Sequence, residues 1–232
     1  MTDETEFPYL FDELVRQDCY RLRSVLFQPD VVLDIGANVG VFTSYARFIF
    51  PAAYIHAFEP NQRNFAYLLR HTEHLPNVSR WKVAMGTGPI WHRPVKDICR
   101  PYFDGGEQYL SEGQLGLPVG AFAERTEFSK SSVQALSFAQ IVDQCWKHGS
   151  VVVKIDVEGA ENCIFNDPPS MAALRRCDYL TMELHYPVDG NGLVPERGKP
   201  TIRQSLMSMT DTHDCEFDEP HNLFYATRKG VK

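Results

Sequence analysis

The hydrophobic pattern of the first third of the chain alternates between short apolar runs and longer amphipathic stretches. Val31–Ile35 is a run of mostly β-branched residues that ends at a glycine, which is typical of a strand buried on both faces. Val39–Phe50 then predicts a helix, Ala53–Phe58 predicts a second strand, and Asn61 is a suitable N-cap for a helix that runs to about residue 75. Ser79–Ala84 predicts a third strand. This β-α-β-α-β order requires a parallel sheet with right-handed crossovers.

The regular pattern is interrupted after the third strand and resumes later in the chain. Residues 85–132 are rich in glycine and polar side chains and are too numerous for a bare loop in a compact domain. We therefore expect an inserted hairpin or flap, with Pro89–Val95 and Ser132–Leu136 as extra strands. Val151–Asp156 and Tyr179–His185 predict buried strands four and five. The remaining predicted elements are helices at Ser137–Lys147, from Gly159 and at Pro169–Cys177, a loop at Pro187–Pro200, a helix at Thr201–Thr210, and terminal strands at Cys215–Phe217 and Asn222–Thr227.

Together these elements predict the α/β class, with a doubly wound and mostly parallel sheet. We expect an antiparallel C-terminal strand and an inserted segment after strand three. A composition of 44% hydrophobic and 23% charged residues is that of an ordinary globular protein. We therefore expect a single domain over residues 1–232, with an N-terminal helical segment at 1–28 and the insertion at 85–132.

Charge and hydropathy narrow the choice of partners and location. The formal net charge of −7 opposes binding to phosphate-rich surfaces, so nucleic acid and acidic membranes are poor partners. No apolar run approaches the length of a membrane-spanning helix. The acidic N-terminus is unlike a secretory leader, and the six cysteines include no C-x-x-C pair. We therefore expect a cytoplasmic protein with reduced thiols.

The strongest motif is the glycine-containing turn between the first strand and the first helix. Its sequence, Asp34-Ile35-Gly36-Ala37-Asn38-Val39-Gly40, lets a ligand approach the backbone near free N–H groups of a helix N-terminus. Glu59 ends the neighbouring strand, where its carboxylate can accept both hydroxyls of a ribose. The G-x-x-x-G spacing differs from the dinucleotide pattern G-x-G-x-x-G and fits S-adenosylmethionine better than NAD. A turn whose glycines serve packing alone is the alternative.

Several blocks resemble the FkbM-type S-adenosylmethionine-dependent methyltransferases, which belong to the Rossmann-like class. They are Leu33–Gly40, Phe58–Asn61 with Asn64-Phe65, Lys154–Glu161 and Met182–His185. The resemblance spans about residues 20–228, and the third block is the most specific to the family. It implies a Rossmann-like fold, S-adenosylmethionine as cofactor, and an alcohol hydroxyl on a sugar, glycolipid or polyketide-like small molecule as acceptor. Leu136-Ser137-Phe138 lacks the acid that the family usually has there, and residues 85–132 match poorly.

The cofactor and acceptor are expected to be held by two sets of residues. Asp34 can organise the loop and help meet the ligand's ammonium group, directly or through water, and the backbone near Ala84 is expected to border the adenine. The cofactor-binding set is Asp34, Gly36, Ala37, Asn38, Gly40, Glu59 and Ala84. The catalytic set is Asp156, Glu158 and His185, at the carboxyl ends of strands four and five.

Each catalytic candidate also has a structural interpretation. Asp156 can pair with Lys154, Glu158 can be an acid favoured at a helix start, and His185 can simply end a strand. His185 has a suitable intrinsic pKa for a general base, and neighbouring carboxylates should shift that pKa upward. Asp156 is the competing base, with the histidine orienting the substrate.

A metal is not expected, because the spacing of Asp156, Glu158 and Glu183 is no dedicated ligand motif. Two other functions stay open on the same sheet. One is an NAD-dependent oxidoreductase, and the other is a non-catalytic nucleotide-binding domain. The oligomeric state is not predicted.

Overall fold

The structure of the chain is a computed structural model that describes residues 8–86, 90–96, 104–111, 129–130, 132–185 and 200–231. Parts of three predicted segments lie outside these residues. They are the start of the N-terminal segment, much of the insertion, and positions 187–199 of the predicted Pro187–Pro200 loop.

The strands are β1 (Val31–Ile35), β2 (Tyr54–Phe58), β3 (Val78–Trp81), β4 (Val83–Met85), β5 (Ile90–Lys96), β6 (Asp104–Ser111), β7 (Ser129–Lys130), β8 (Gln134–Leu136), β9 (Val151–Ile155), β10 (Tyr179–Glu183), β11 (His213–Asp218) and β12 (Leu223–Arg228). The helices are α1 (Val41–Ile49), α2 (Gln62–Thr72), α3 (Phe138–Cys145), α4 (Asn162–Phe165), α5 (Pro168–Leu174) and α6 (Ile202–Met207). Before β1, the N-terminal segment contains a π-helical turn at Asp12–Arg16 and a 3₁₀ turn at Leu22–Ser24.

Seven of the described strands form the main sheet, in the order β11-β12-β10-β9-β1-β2-β3. Strand β12 runs antiparallel to both of its neighbours, whereas β10, β9, β1, β2 and β3 pair in parallel. The predicted doubly wound, mostly parallel sheet with an antiparallel C-terminal strand is therefore confirmed. Since the winding reverses between β1 and β9, a crevice is expected at the carboxyl ends of these two strands.

Both faces of the sheet are covered, which explains the continuous apolar runs of the central strands. All five residues of β1 are buried, and alternate residues enter opposite layers. Leu33 and Ile35 pack in a cluster with Phe138 of α3, whereas Val32 packs with Phe42 of α1. The N-terminal segment joins this second layer through Tyr20. The strands that carry the candidate site are thus buried between two apolar layers.

The prediction of one continuous third strand at Ser79–Ala84 is wrong, because two separate strands overlap these residues. Strand β3 ends at Trp81, whose ring stacks on Phe58 with centroids 5.9 Å apart, and the chain then leaves the main sheet. Strand β4 pairs instead with β8 in a separate two-stranded sheet. Because β4 is as buried as a strand of the main sheet, the apolar pattern continues across the break and conceals it.

The insertion contains strand pairing that agrees in part with expectation. Strand β5 overlaps the predicted Pro89–Val95 strand and pairs antiparallel with β6 and β7. Strand β8 falls within the predicted Ser132–Leu136 strand. The assignment of the whole chain to one domain stays a prediction. Among the described helices, none has the length and apolar character needed to cross a membrane.

Candidate active site

The glycine loop between β1 and α1 approaches the end of β9 so closely that a side chain cannot fit. Gly36 has a φ of +83°, and a Cβ there would lie 1.6 Å from the backbone oxygen of Asp156. Gly40 has a φ of +91° and precedes α1, where a Cβ would lie 2.9 Å from Leu68 Cδ1 of α2. Asn38 also adopts a left-handed conformation, with a φ of 49°. Close packing therefore explains why both positions are glycine. At Gly36 this packing places the loop against the carboxyl end of β9.

Asp34 lies beneath this loop and is fully buried. Thr43 donates a 2.5 Å hydrogen bond to its Oδ2, and Lys154 Nζ lies 3.5 Å from its Oδ1. Burial raises the pKa of Asp34, although Lys154 and Thr43 oppose that effect. Lys154 Nζ also donates a 2.6 Å hydrogen bond to the carbonyl oxygen of Gly36. Of the two roles expected for Asp34, this position supports organisation of the loop, because no part of its side chain faces solvent.

Glu59 joins the glycine loop to the start of α2. Its Oε2 accepts a 2.9 Å hydrogen bond from the backbone N–H of Asn38, and its Oε1 accepts one of 2.8 Å from Asn61. The side chain is buried, and burial raises its pKa to about 7 against the opposing effect of these two donors. Asn61 itself caps α2, as predicted. A buried carboxylate with further lone pairs can accept ligand hydroxyls at this position.

Ala84 lies in β4 and pairs with Ala135 of β8, outside the main sheet. It is buried, and it is not among the residues that line the crevice described below. Its expected position beside the adenine stays a prediction.

His185 follows β10 and is surrounded by carboxylates. Its Nδ1 lies 2.8 Å from Oε1 of the buried Glu161, while its Nε2 lies 3.3 Å from Glu158 and 3.8 Å from both Asp156 and Glu183. Burial alone would lower the pKa of His185, but the carboxylates, Glu161 first, outweigh burial and raise it to about 10. The ring is therefore an imidazolium at neutral pH. The expected direction of the shift is right, but its size works against a neutral histidine base.

Asp156 and Glu183 present their carboxylates side by side at the ends of β9 and β10. Burial opposes the ionisation of Asp156, but Lys154 and His185 outweigh it and hold its pKa below the usual range. For Glu183, burial and the charge of Asp156 raise the pKa to about 7. The Tyr20 hydroxyl lies within hydrogen-bond distance of both, 3.1 Å from Asp156 and 3.3 Å from Glu183. Two neighbouring carboxylates thus differ in proton affinity.

The glycine loop and these carboxylates line one open crevice, with about 630 Å³ of space that is partly continuous with solvent. The N-terminal segment forms another of its walls. The lining residues include Gly36, Ala37 and Asn38 of the loop, Lys154, Asp156, Glu158 and Glu183 of the sheet edge, and Leu10, Glu13, Leu14 and Tyr20 of the N-terminal segment.

The three predicted catalytic side chains also meet a geometric requirement for a metal ion. Ligand atoms of Asp156, Glu158 and His185 all lie within 4.8 Å of one another. The argument from spacing considered Glu183 in place of His185, and this cluster arises because the residues that follow β9 and β10 meet at one edge of the sheet. The expectation that no metal is bound stays a prediction. In this structure the charge of the imidazolium offsets the acids of the group.

Two residues of the site were not among the sequence candidates. Glu161, which fixes His185, belongs to the block Lys154–Glu161 and had a signal that could have identified it. Tyr20 had no such signal in the sequence. It is separated along the chain from Asp156 by 136 residues and from Glu183 by 163 residues.

Comparisons with known proteins agree with this architecture. The Methyltransferase FkbM domain family matches residues 34–217. The chain is 41% identical over 64 residues to the 31-O-demethyl-FK506 methyltransferase FkbM of Streptomyces tacrolimicus, covering 27% of this chain and 25% of that protein. It is 41% identical over 267 residues to the AMB antimetabolite synthetase AmbE of Pseudomonas aeruginosa PAO1, covering 98% of this chain and 12% of that protein. The chain therefore spans about a quarter or less of these curated relatives.

A solved structure shows the same fold. The methyltransferase FkbM of Methylobacillus flagellatus KT matches with a TM-score of 0.50 and 12% identity, over 89% of this chain and 46% of that one. The crevice offers the methyl donor of such enzymes backbone groups at a helix start. Glu59 holds this loop through the N–H of Asn38 but, like Gly40 and His185, it is not among the residues that line the crevice. The chain belongs to the FkbM methyltransferase domain family, and its cofactor is S-adenosylmethionine.

Proposed function

We propose that this domain methylates a hydroxyl oxygen of a small molecule, such as a sugar, a glycolipid or a polyketide-like compound. The observation that carries the proposal is that one crevice contains both the glycine loop and the carboxylates of β9 and β10. The name of the Streptomyces tacrolimicus relative, a methyltransferase of 31-O-demethyl-FK506, supports oxygen as the atom that is methylated. The net charge of −7 supports an acceptor other than nucleic acid.

The cofactor side of the crevice is proposed to consist of the loop and Glu59. Gly36, Ala37, Asn38 and Gly40 offer backbone groups, and the Glu59 carboxylate accepts the ribose hydroxyls. Asp34 acts through the loop that it supports, and the backbone near Ala84 is proposed to border the adenine. When bound, S-adenosylmethionine supplies an electrophilic methyl group on its sulfonium.

The acceptor side is proposed to consist of Asp156, Glu158 and His185. The acceptor hydroxyl must lose its proton as its oxygen is methylated, and a positioned base contributes about 10²–10⁴-fold to such a rate. Because His185 is charged at neutral pH, we assign the proton to the ionised carboxylate of Asp156. The His185 imidazolium then orients the acceptor oxygen as a hydrogen-bond donor, and the exposed Glu158 contacts the outer part of the acceptor.

The test is a transfer assay with methyl-labelled S-adenosylmethionine and a panel of sugars, glycolipids and polyketide-like alcohols. Asp156→Asn should lower kcat by about 10²-fold or more, and His185→Asn should lower it by about tenfold. Asp214→Asn is the matched control, because Asp214 is exposed on the edge strand β11. If His185→Asn abolishes transfer while Asp156→Asn retains most of it, the histidine is the base and our assignment is wrong. Labelling of a nitrogen or carbon atom instead of oxygen would contradict the proposed reaction.

A further inference from the structure

The N-terminal segment supplies a buried hydroxyl to the site, and it lies before the region that the family matches. The family match begins at residue 34, whereas Tyr20 belongs to the preceding segment. Its side chain is only 3% exposed, and its ring packs edge-on against Phe42 with centroids 5.6 Å apart. The hydroxyl lies 3.1 Å from Asp156 Oδ2 and 3.3 Å from Glu183 Oε2. Tyr20 therefore links the two carboxylates of the crevice.

A single hydroxyl cannot satisfy both of these carboxylates with its one proton. A tyrosine has one O–H donor, so when it donates to one carboxylate the other must supply its own proton to form a second hydrogen bond. Burial raises the pKa of Tyr20 well above its usual value, so the hydroxyl keeps its proton. The shorter contact is to Asp156, which Lys154 also approaches at 3.5 Å.

The other charged groups around the pair separate the two carboxylates in the same sense. Lys154 and His185 lower the pKa of both, and at Asp156 they outweigh burial, whereas at Glu183 burial and the charges of Asp156 and Glu158 outweigh them and raise the pKa. The titratable and charged groups around the pair include Glu13, Cys19, Tyr20, Asp34, Lys154, Glu158, Glu161 and His185.

We propose that Tyr20 is a positioning residue that donates its proton to Asp156 and thereby keeps this carboxylate, rather than Glu183, as the ionised base of the site. The inference rests on the proposed function for its catalytic consequence, but the charge states that it assigns can be measured without any acceptor. It also makes the N-terminal segment part of the catalytic apparatus of this chain.

The same segment offers a matched control. Tyr225 donates a 2.6 Å hydrogen bond to the carbonyl oxygen of Cys19, and Tyr179 donates one of 2.9 Å to that of Tyr20. Either hydroxyl anchors the backbone of the segment, and each donates its proton to that backbone rather than to Asp156 or Glu183. Removal of Tyr225's hydroxyl therefore reproduces the loss of an anchor without the loss of a donor to the carboxylates.

The experiment compares Tyr20→Phe, Tyr225→Phe and the unaltered domain by ¹³C NMR of labelled side-chain carboxyl groups, with Asp156→Asn to assign the signal. In Tyr20→Phe the pKa of Asp156 should rise by ~1, a tenfold gain in proton affinity, because a donor to the charged form is lost. The acid limb of the kcat profile should move upward with it, while the affinity for S-adenosylmethionine stays the same. Tyr225→Phe should change neither property.

A second substitution keeps the inference testable if Tyr20→Phe does not fold. Incorporation of 3-fluorotyrosine at position 20 retains the size of the ring and makes the hydroxyl a stronger donor, so the pKa of Asp156 should fall. An Asp156 pKa that is the same in all proteins, or that moves equally in Tyr225→Phe, would overturn the inference. If the carboxylate signals shift as expected but no acceptor is methylated, the positioning role stands and the proposed function fails.

Discussion

The carboxylate of Glu59 gives the most quantitative test of the cofactor side of the site. Its two oxygens accept hydrogen bonds from the backbone of Asn38 and Asn61, and its side chain is only 6% exposed. Replacement by glutamine keeps the shape and one acceptor oxygen but removes the charge. The comparison of Glu59→Gln with the unaltered domain therefore isolates the free energy of holding a buried charge at this position.

The magnitude follows from proton linkage. Burial raises the pKa of Glu59 from 4.5 to about 7, so the folded protein holds this proton more tightly than the unfolded chain does. Between these two pH values the folded state binds more protons, and its stability must fall as the pH rises. Each unit of pKa shift is worth about 1.36 kcal/mol, so the full loss of folding free energy is about 3 kcal/mol. Glu59→Gln cannot lose stability in this way. The difference in the free energy of unfolding between the two proteins should therefore change by that amount over this pH range.

The assay is urea denaturation of both proteins at several pH values from 4.5 to 8. Titrations elsewhere in the molecule cancel in the difference, and a constant offset from the altered hydrogen bonds does not affect its slope. If this difference changes by less than about 1 kcal/mol over the pH range, burial does not raise the pKa of Glu59 as argued. Saturating S-adenosylmethionine should reduce the slope if its ribose hydroxyls bind the ionised form, as proposed.

Three further perturbations address the loop and the acidic group. Lys154→Met should destabilise the fold by about 3–5 kcal/mol in urea denaturation, because Asp34 then stays buried without its cation. The double variant with Asp34→Asn should recover part of this loss. A loss below about 1 kcal/mol in Lys154→Met would contradict the reasoning. Gly36→Ala should unfold the domain or abolish cofactor binding, whereas Gly230→Ala, with a similar φ of +84° and nothing within 4 Å, should cost only about 1–2 kcal/mol by thermal denaturation. Equal losses of stability in the two variants would show that backbone strain, and not the contact with β9, determines the effect of Gly36→Ala. Methyl transfer should survive EDTA, because the imidazolium supplies positive charge among the acids; a loss of activity that Mg²⁺ or Mn²⁺ restores would make those side chains metal ligands.

The central strands could be read from the sequence because their two buried faces leave an unmistakable apolar run. Val31–Ile35 and Val151–Ile155 are buried at every position, so the period of the sheet is not needed to recognise them. The cap at Asn61 was likewise predictable, because capping is a local interaction between a side chain and the next turn. The break after Trp81 was not predictable. Strand β4 is buried in the small sheet with β8, and this burial gives the same apolar pattern as burial in the main sheet.

The chemical side chains were easier to locate than their charge states. Asp156 and His185 were identified from their places at strand ends, which the parallel sheet brings together. The proton affinity of His185 depends on four carboxylates from different parts of the chain, and their combined distances cannot be obtained from spacing. The hydroxyl of Tyr20 belongs to the same class of contact, since only the folded chain places it between two acids.

The central claim is that the crevice binds S-adenosylmethionine through the glycine loop and Glu59. Isothermal titration calorimetry of the domain with S-adenosylmethionine and with NAD tests it most directly, with Glu59→Gln and the exposed-site control Glu219→Gln measured in parallel. We expect saturable binding of S-adenosylmethionine alone, weakened about tenfold or more in Glu59→Gln because a hydrogen bond to a charged group is lost, and unchanged in Glu219→Gln. Binding of NAD in place of S-adenosylmethionine, or equal affinity in a folded Glu59→Gln, would contradict the claim.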